Sequence, residues 1–173
     1  RNVDITLIVM DNFVYGLTKG QNSPTTPLGD TINRVSPTNQ DRPVNPLASV
    51  MAYGAPFVVQ GFSAKMKDLG SMMADGISYP GFSLINAISP CVTFRGNDEF
   101  DRVREKTYYL DESHDPADRT QAVLVSEQKE GVPVGLIYKE DPPPPCIPKR
   151  DAKPSLNTPE PPEWAQYLDQ FRA

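Results

Sequence analysis

Cysteine occurs twice and histidine once in this chain of 173 residues. Two cysteines, Cys91 and Cys146, do not make the disulfide framework of a small secreted domain. Nor can they hold an iron–sulfur cluster unaided, because a cluster takes about four thiolates. No apolar run reaches the roughly 18 residues of a membrane span, and no charged-then-apolar leader opens the chain, so a soluble, cytoplasmic protein without a membrane contact is expected. A basic block of the kind that tracks phosphates is also missing, and the formal charge is −5. With a pI near 4.9, nucleic acid and anionic membrane are poor partners. There is no internal repeat. Arg1 runs straight into RNVDITLIV with no initiator Met, as if cut from the middle of a domain, so an N-terminally truncated fragment is expected.

What is present suits one globular domain: 38% of residues are hydrophobic and 23% charged, an ordinary balance. Ile5, Leu7, Ile8, Val9 and Met10 form a short apolar run, the pattern of a parallel strand covered on both faces. The run stops at Asp11 and Asn12. That puts an acid and an amide at a strand's carboxyl end, where ligands bind in open α/β sheets. The stretch DNFVYGLTKGQ, residues 11 to 21, therefore concentrates the chemistry. Asn12 offers a neutral oxygen to a hard cation such as Mg²⁺, which takes few protein ligands and completes its shell with phosphate oxygens and water. Gly16 and Gly20 allow close backbone approach, and Thr18, Lys19 and Gln21 are donors suited to phosphate or carboxylate. On the residues alone, a strand followed by an ordinary polar turn is the competing reading.

Residues 22 to 45 are rich in Ser, Thr, Asn and Pro without a hydrophobic period, and read as a long ordered loop. Asn45 and Pro46 resemble an N-cap and first-turn proline, opening a helix that Gly54 closes. Phe57 to Gly61 reads as a strand. Ser63 would cap a helix whose Met66, Leu69, Met72, Met73 and Ile77 form a core stripe. Phe82 to Ile88 is a third strand, broken at Ser89 and Pro90. Strands alternating with helices imply βαβ units and a largely parallel sheet. From Asn97 the pattern is a charged helix, a short strand at YYL, a helix capped by Ser113 or Asp115 and containing Ala117, and a strand from Val132 to Tyr138. Beyond Lys139 the chain is proline-rich and reads as an extended arm, with Trp164, Tyr167, Leu168 and Phe171 as a small apolar stripe near its end.

Three residues carry open alternatives. Cys91, in SPCVTF, is on local grounds either a buried structural thiol or a ligand. Lys19 is either an anion ligand or a solvated loop lysine. His114, in DESHDP, has acids beside it that would raise its pKa, but a turn or capping role fits its setting better than catalysis.

DNFVYGLTKGQNSPTT, then NPLASVMAYGAPFVVQGFS, then ISPCVTF, together with YYLDESHDPADRTQA, closely resemble the β subunit of the 2-oxoacid:ferredoxin oxidoreductases, in particular the 2-oxoglutarate type. The similarity runs in order over most of residues 1 to 138. It implies an α/β thiamine-diphosphate-binding fold, a mostly parallel sheet with helices on both faces, and a C-terminal extension. Residues 1–96 would form the C-terminal part of the thiamine-diphosphate domain, 97–138 the family's extension, and 139–173 a tail. It further implies oxidative decarboxylation of a 2-oxoacid to acyl-CoA with reduction of ferredoxin, in complex with an α subunit. A pyruvate or broad 2-oxoacid enzyme, and a non-catalytic fragment of such a subunit, are the alternatives. By the same resemblance, Asn12 and the carbonyl of Val14 would hold Mg²⁺, and Gly16, Leu17 and Thr18 would line the thiamine diphosphate. Lys19 would face a carboxylate of the 2-oxoacid. Cys91 would be the distant ligand of a [4Fe–4S] cluster. Family members carry a GDG-type metal motif and three more cluster cysteines upstream of this point. The 173 residues contain neither, so the remaining ligands are expected before Arg1 and the fragment alone is expected to be inactive. Cys146 matches nothing in the motif.

Overall fold

Phe57–Phe62 (β2) and Ser83–Ile88 (β3) are buried at every position, and these two strands form the middle of the protein. Their largely apolar sequences, with Gln60 and Asn86 hydrogen-bonded to each other, suit a sheet covered on both faces. The computed structural model describes residues 2–32, 36–128 and 131–141. Thr6–Asp11 (β1), Thr107–Tyr109 (β4) and Val132–Lys139 (β5) complete a five-stranded sheet of order β1-β3-β2-β5-β4. All neighbours are parallel except β2 and β5. The mostly parallel α/β sheet expected from the alternating pattern is therefore present.

Helices cover both faces. Leu47 and Met51 of Pro46–Ala52 (α1) and Ala122 of Arg119–Ser126 (α5) pack with Val58, Leu84, Ile137 and Tyr138 on one face. Val103 of Glu99–Lys106 (α4) extends that face over Phe62 and Ile88. On the other face, Leu69 of Met66–Ser78 (α2) packs with Phe57, Val59, Ile85 and Ala87. Between Val58 and Val59 the β2–β5 register shifts, so that Val58 faces Tyr138 and Val59 faces Leu136. The extra residue is Ile137, and the bulge lets both Ile137 and Tyr138 point into the same cluster. Gly76 lets α2 settle closely on the sheet: a Cβ there would lie 2.7 Å from Cδ1 of Ile85.

Several local expectations need correction. β1 is not covered on both faces. It stands at the sheet's edge, pairs with β3 alone, and leaves Leu7 44%, Ile8 42% and Met10 77% exposed among the described residues. The methionine stripe is not uniformly core either, since only Leu69 is buried while Met66 and Ile77 face outward and Met72 and Met73 are half-buried. α2 starts at Met66 behind Lys65, with no side-chain cap, so Ser63 does not cap it. The α5 cap is Asp118, which accepts from Thr120 N and Gln121 N. Ser113 and Asp115 instead belong to preceding turns, where Asp111 accepts from Ser113 and Asp115 from Ala117 N. Short polar side chains favour turns and caps alike, which is why composition did not separate these positions. A one-turn helix, Val92–Arg95 (α3), was not anticipated. The expectations for the proline-rich tail, for Cys146 and for the stripe Trp164, Tyr167, Leu168 and Phe171 fall outside the described residues.

Asn45 does cap α1 as expected, accepting from Leu47 N and Ala48 N. Its Nδ2 also donates to Ser126 O at 2.6 Å, tying α1 to the end of α5. Asn45→Ala removes both roles and is expected to cost about 1–2 kcal/mol. A lowered midpoint in thermal or urea unfolding is the result to look for, and an unchanged one would mean the cap carries no net stability.

Candidate functional site

The parallel strands bring three distant segments to one edge of the sheet. Ser89 N donates to Asp11 O at 2.8 Å, and Ser63 N donates to Ile88 O at 2.9 Å. The chain leaving β1 at Asn12 and the chain reaching Cys91 after β3 are thus neighbours at the carboxyl ends of adjacent strands. Chain direction in a parallel sheet dictates this, and it is where α/β folds bind ligands.

Beyond β1 the backbone folds on itself. Asp11, 8% exposed, does not offer its carboxylate outward: Oδ1 accepts from Phe13 N at 3.1 Å and from Thr25 Oγ1 at 2.6 Å. Asn12 Oδ1 accepts from Val14 N at 3.1 Å, leaving capacity for a further bond. Phe13 between them has φ +60°, an uncommon conformation for a side chain of that size. From Tyr15 to Gln21 the chain makes a tight hairpin, closed by Tyr15 N to Gln21 O at 2.9 Å and Gly20 N to Tyr15 O at 3.0 Å. Its tip carries Leu17, 99% exposed, with exposed Thr18 and Lys19. Lys19 has φ +74°.

The loop after Gln21 is fastened beneath this turn. Thr26, fully buried, donates to Phe13 O at 2.8 Å and receives Ser23 N. Asn39 Nδ2 in turn donates to Thr26 O at 2.8 Å. From the other side come α3 and α4. Arg95 Nε donates to Glu99 Oε1 at 2.7 Å and Nη2 to Asp30 Oδ2 at 2.5 Å, and its guanidinium stands 5.6 Å from the centre of the Phe13 ring. Glu99 also receives Arg102 Nη1 at 3.0 Å. Burial alone would lower the Arg95 pKa, but the bonds to Asp30 and Glu99 outweigh it and hold the pKa above its ordinary value.

Of the residues picked out in the sequence, Asn12, Val14, Gly16, Leu17, Thr18 and Lys19 lie in the one turn, and Cys91 stands at the next strand end. Thr18 Oγ1 donates to Tyr15 O at 3.3 Å, an internal hairpin bond. A Cβ at Gly16 would sit 3.8 Å from Phe94, an ordinary contact, so this protein surface does not itself demand glycine there. His114 is elsewhere, its Nε2 2.9 Å from Ile137 O in the turn before α5. Asp11 was picked out as a strand-end acid but serves as an internal support, and Thr25, Thr26, Asp30 and Arg95 carried no signal as supports. Their role depends on contacts across up to 65 positions of sequence, for which local patterning carries no signal.

The donor set fits part of a Mg²⁺ site. Asn12 Oδ1 and the Val14 carbonyl are hard oxygens of the kind Mg²⁺ takes, and an octahedral site would still need phosphate, water or further protein groups. For a cluster, Cys91 supplies one thiol. Among the described residues no group of three or more His, Cys, Asp or Glu side chains is placed to hold a metal.

The fold is that of a thiamine pyrophosphate enzyme domain: residues 1–87 match the thiamine pyrophosphate enzyme C-terminal TPP binding domain, and residues 91–146 match the C-terminal region of pyruvate ferredoxin oxidoreductase β subunits. The chain is 33% identical over 153 residues to a 2-oxoacid:ferredoxin oxidoreductase subunit beta of Saccharolobus solfataricus, covering 82% of this chain and 50% of the relative. It is 36% identical over 96 residues to 2-oxoglutarate synthase subunit KorB of Methanothermobacter thermautotrophicus, covering 56% and 34% respectively. A solved 2-oxoglutarate:ferredoxin oxidoreductase from Magnetococcus marinus, with 2-oxoglutarate, coenzyme A and succinyl-CoA bound, superposes with a TM-score of 0.76 at 36% identity, over 82% of this chain and 49% of that one. The chain belongs to the β-subunit family of the 2-oxoacid:ferredoxin oxidoreductases. It spans about half the length of the curated relatives it matches. No helix among the described residues is long and apolar enough to cross a membrane.

Proposed function

We propose that this chain is part of the β subunit of a cytoplasmic 2-oxoglutarate:ferredoxin oxidoreductase, converting 2-oxoglutarate, coenzyme A and oxidised ferredoxin to succinyl-CoA, CO₂ and reduced ferredoxin. The observation that carries the proposal is the pairing of strand ends that brings the Asn12 turn beside the segment entering Cys91. Thiamine diphosphate, when bound, supplies the electron sink for decarboxylation, and a [4Fe–4S] cluster provides one-electron transfer.

The chain's own residues bind and orient. Asn12 Oδ1 and the Val14 carbonyl would be two oxygen ligands to Mg²⁺, whose charge would help hold the cofactor's diphosphate. The backbone from Gly16 to Thr18 lines the diphosphate, where the missing side chain at Gly16 leaves room for a bulky group. The exposed ammonium of Lys19 meets a substrate carboxylate as a point charge. Cys91 contributes one thiolate, with the other three from further polypeptide. An α subunit is the expected partner, and the apolar edge formed by Leu7, Ile8 and Met10 has the character of a contact surface.

The similarity to KorB and to the Magnetococcus enzyme favours 2-oxoglutarate; the comparable similarity to the Saccharolobus subunit favours a broader 2-oxoacid range. Methyl-viologen reduction by the complete αβ complex, with coenzyme A and either 2-oxoglutarate or pyruvate, separates the two. A preference for 2-oxoglutarate is expected. Equal rates would move the assignment to the broad type, and no reduction with any 2-oxoacid would overturn the enzymatic reading.

A further inference from the structure

Arg95 and Glu99 are 5% and 3% exposed at their side chains, and neither belongs to the set of groups assigned above to cofactor or substrate. Removing two charges from water is costly unless the surroundings make it good. Here they do so by joining three segments that are remote in sequence. The Arg95 fork reaches Asp30 in the loop after the hairpin and Glu99 in α4, and its guanidinium carbon lies over the ring of Phe13 at 5.6 Å. Arg95 N also donates to Cys91 O at 3.0 Å, so the same residue closes the single turn that begins at the cysteine.

Phe13 is the residue between the two proposed metal-binding oxygens, and it is held at φ +60°. A non-glycine residue persists in that conformation only where its surroundings over-determine it. Three contacts do so: its N–H donates to Asp11 Oδ1, its carbonyl accepts from Thr26 Oγ1, and its ring meets the Arg95 guanidinium. If Phe13 relaxed to negative φ, the chain direction would change between Asn12 and Val14, altering how the two proposed ligand oxygens are placed relative to each other and breaking the Val14 N to Asn12 Oδ1 bond.

Resting on the cofactor reading above, we propose that Arg95 is a positioning residue of the thiamine diphosphate–Mg²⁺ site. It acts through Phe13 to fix the turn from Asn12 to Val14, and through α3 it ties that turn to Cys91. Lysine would keep the charge but lose the two-armed fork to Asp30 and Glu99, so it is not an equivalent.

The test is titration of thiamine diphosphate, at saturating Mg²⁺, into the cofactor-depleted complete αβ complex, with the binding heat and the melting temperature of the depleted complex both measured. Arg95→Lys is expected to weaken binding about tenfold, the scale seen when a support behind a metal ligand is lost, with little change in melting. Phe13→Leu should lose a similar factor, and the double variant no more than either single one, because both act on one peptide. Wild-type affinity in Arg95→Lys, or losses that simply multiply in the double variant, would overturn the proposal. Should Arg95→Lys not assemble, Asp30→Asn, at a position 25% exposed, weakens the same fork; about tenfold weaker binding supports the proposal and unchanged binding overturns it. Asn12→Ala separates the two levels. If it binds normally, the cofactor reading falls and this inference with it; if it binds weakly while Arg95→Lys binds normally, only the inference falls.

Discussion

Cys91→Ser in the complete subunit is expected to fold, to retain thiamine diphosphate, and to lose cluster iron and ferredoxin reduction. The structure makes this substitution discriminating. Cys91 occupies the N-cap of α3 but its side chain makes no capping bond. Its backbone carbonyl is what receives Arg95 N, and serine supplies the same carbonyl. The thiol is neither fully buried nor paired in a disulfide, so a hydroxyl of similar size costs little in packing. Serine is also among the preferred N-cap residues, which if anything favours the helix. A loss seen in this variant therefore reports on the sulfur's chemistry. A cluster left with three thiolates is labile, so iron content and the reduced-state electron paramagnetic resonance signal should both fall. Wild-type iron would remove Cys91 from the cluster. A lowered melting temperature with iron unchanged would make it a structural thiol.

The sequence was informative where one physical signal dominated. Phe57 to Gly61 and Phe82 to Ile88, read as strands of a largely parallel sheet, correspond to Phe57–Phe62 and Ser83–Ile88, which pair in parallel and are buried throughout. Asn45 with Pro46 marked a helix start because capping and proline's fixed φ are properties of adjacent residues. The apolar run from Ile5 to Met10 misled for the same reason that it was noticed. Hydrophobicity records that a segment is to be covered but not by what, and among the described residues β1 has a neighbour on one side only. Polar positions were harder. Ser63, Ser113, Asp115 and Asp118 all look like caps, and only the three-dimensional path selects Asp118. For the candidate site, the turn itself was legible because strand end, amide and glycines are contiguous. What holds the turn was not. Thr26 meets Phe13 across 13 positions and Asp30 meets Arg95 across 65, and NDEFDRVREK, read as a charged helix, gave no hint that Glu99 is buried.

Lys19→Ala is expected to separate substrates. Lys19 sits at the tip of the hairpin, exposed, with its N–H donating to Gly16 O at 3.1 Å. That bond is made by the backbone and survives the substitution. The φ of +74° at this position would be relaxed by glycine but is retained, strain included, by alanine, so Lys19→Ala removes the ammonium while keeping the backbone conformation. If the ammonium pairs with the distal carboxylate that 2-oxoglutarate has and pyruvate lacks, kcat/KM should fall far more for 2-oxoglutarate. A charge-assisted contact of about 1.5–3 kcal/mol corresponds to roughly 10- to 150-fold in the ratio of the two values. Lys19→Arg keeps the charge and should restore part of that ratio. Equal losses on both substrates would assign Lys19 to the carboxylate they share or to the diphosphate, and the diphosphate case would also show as weaker cofactor binding. No loss on either would leave Lys19 a solvated loop residue and place the choice of 2-oxoacid in the remainder of the β subunit or in its partner.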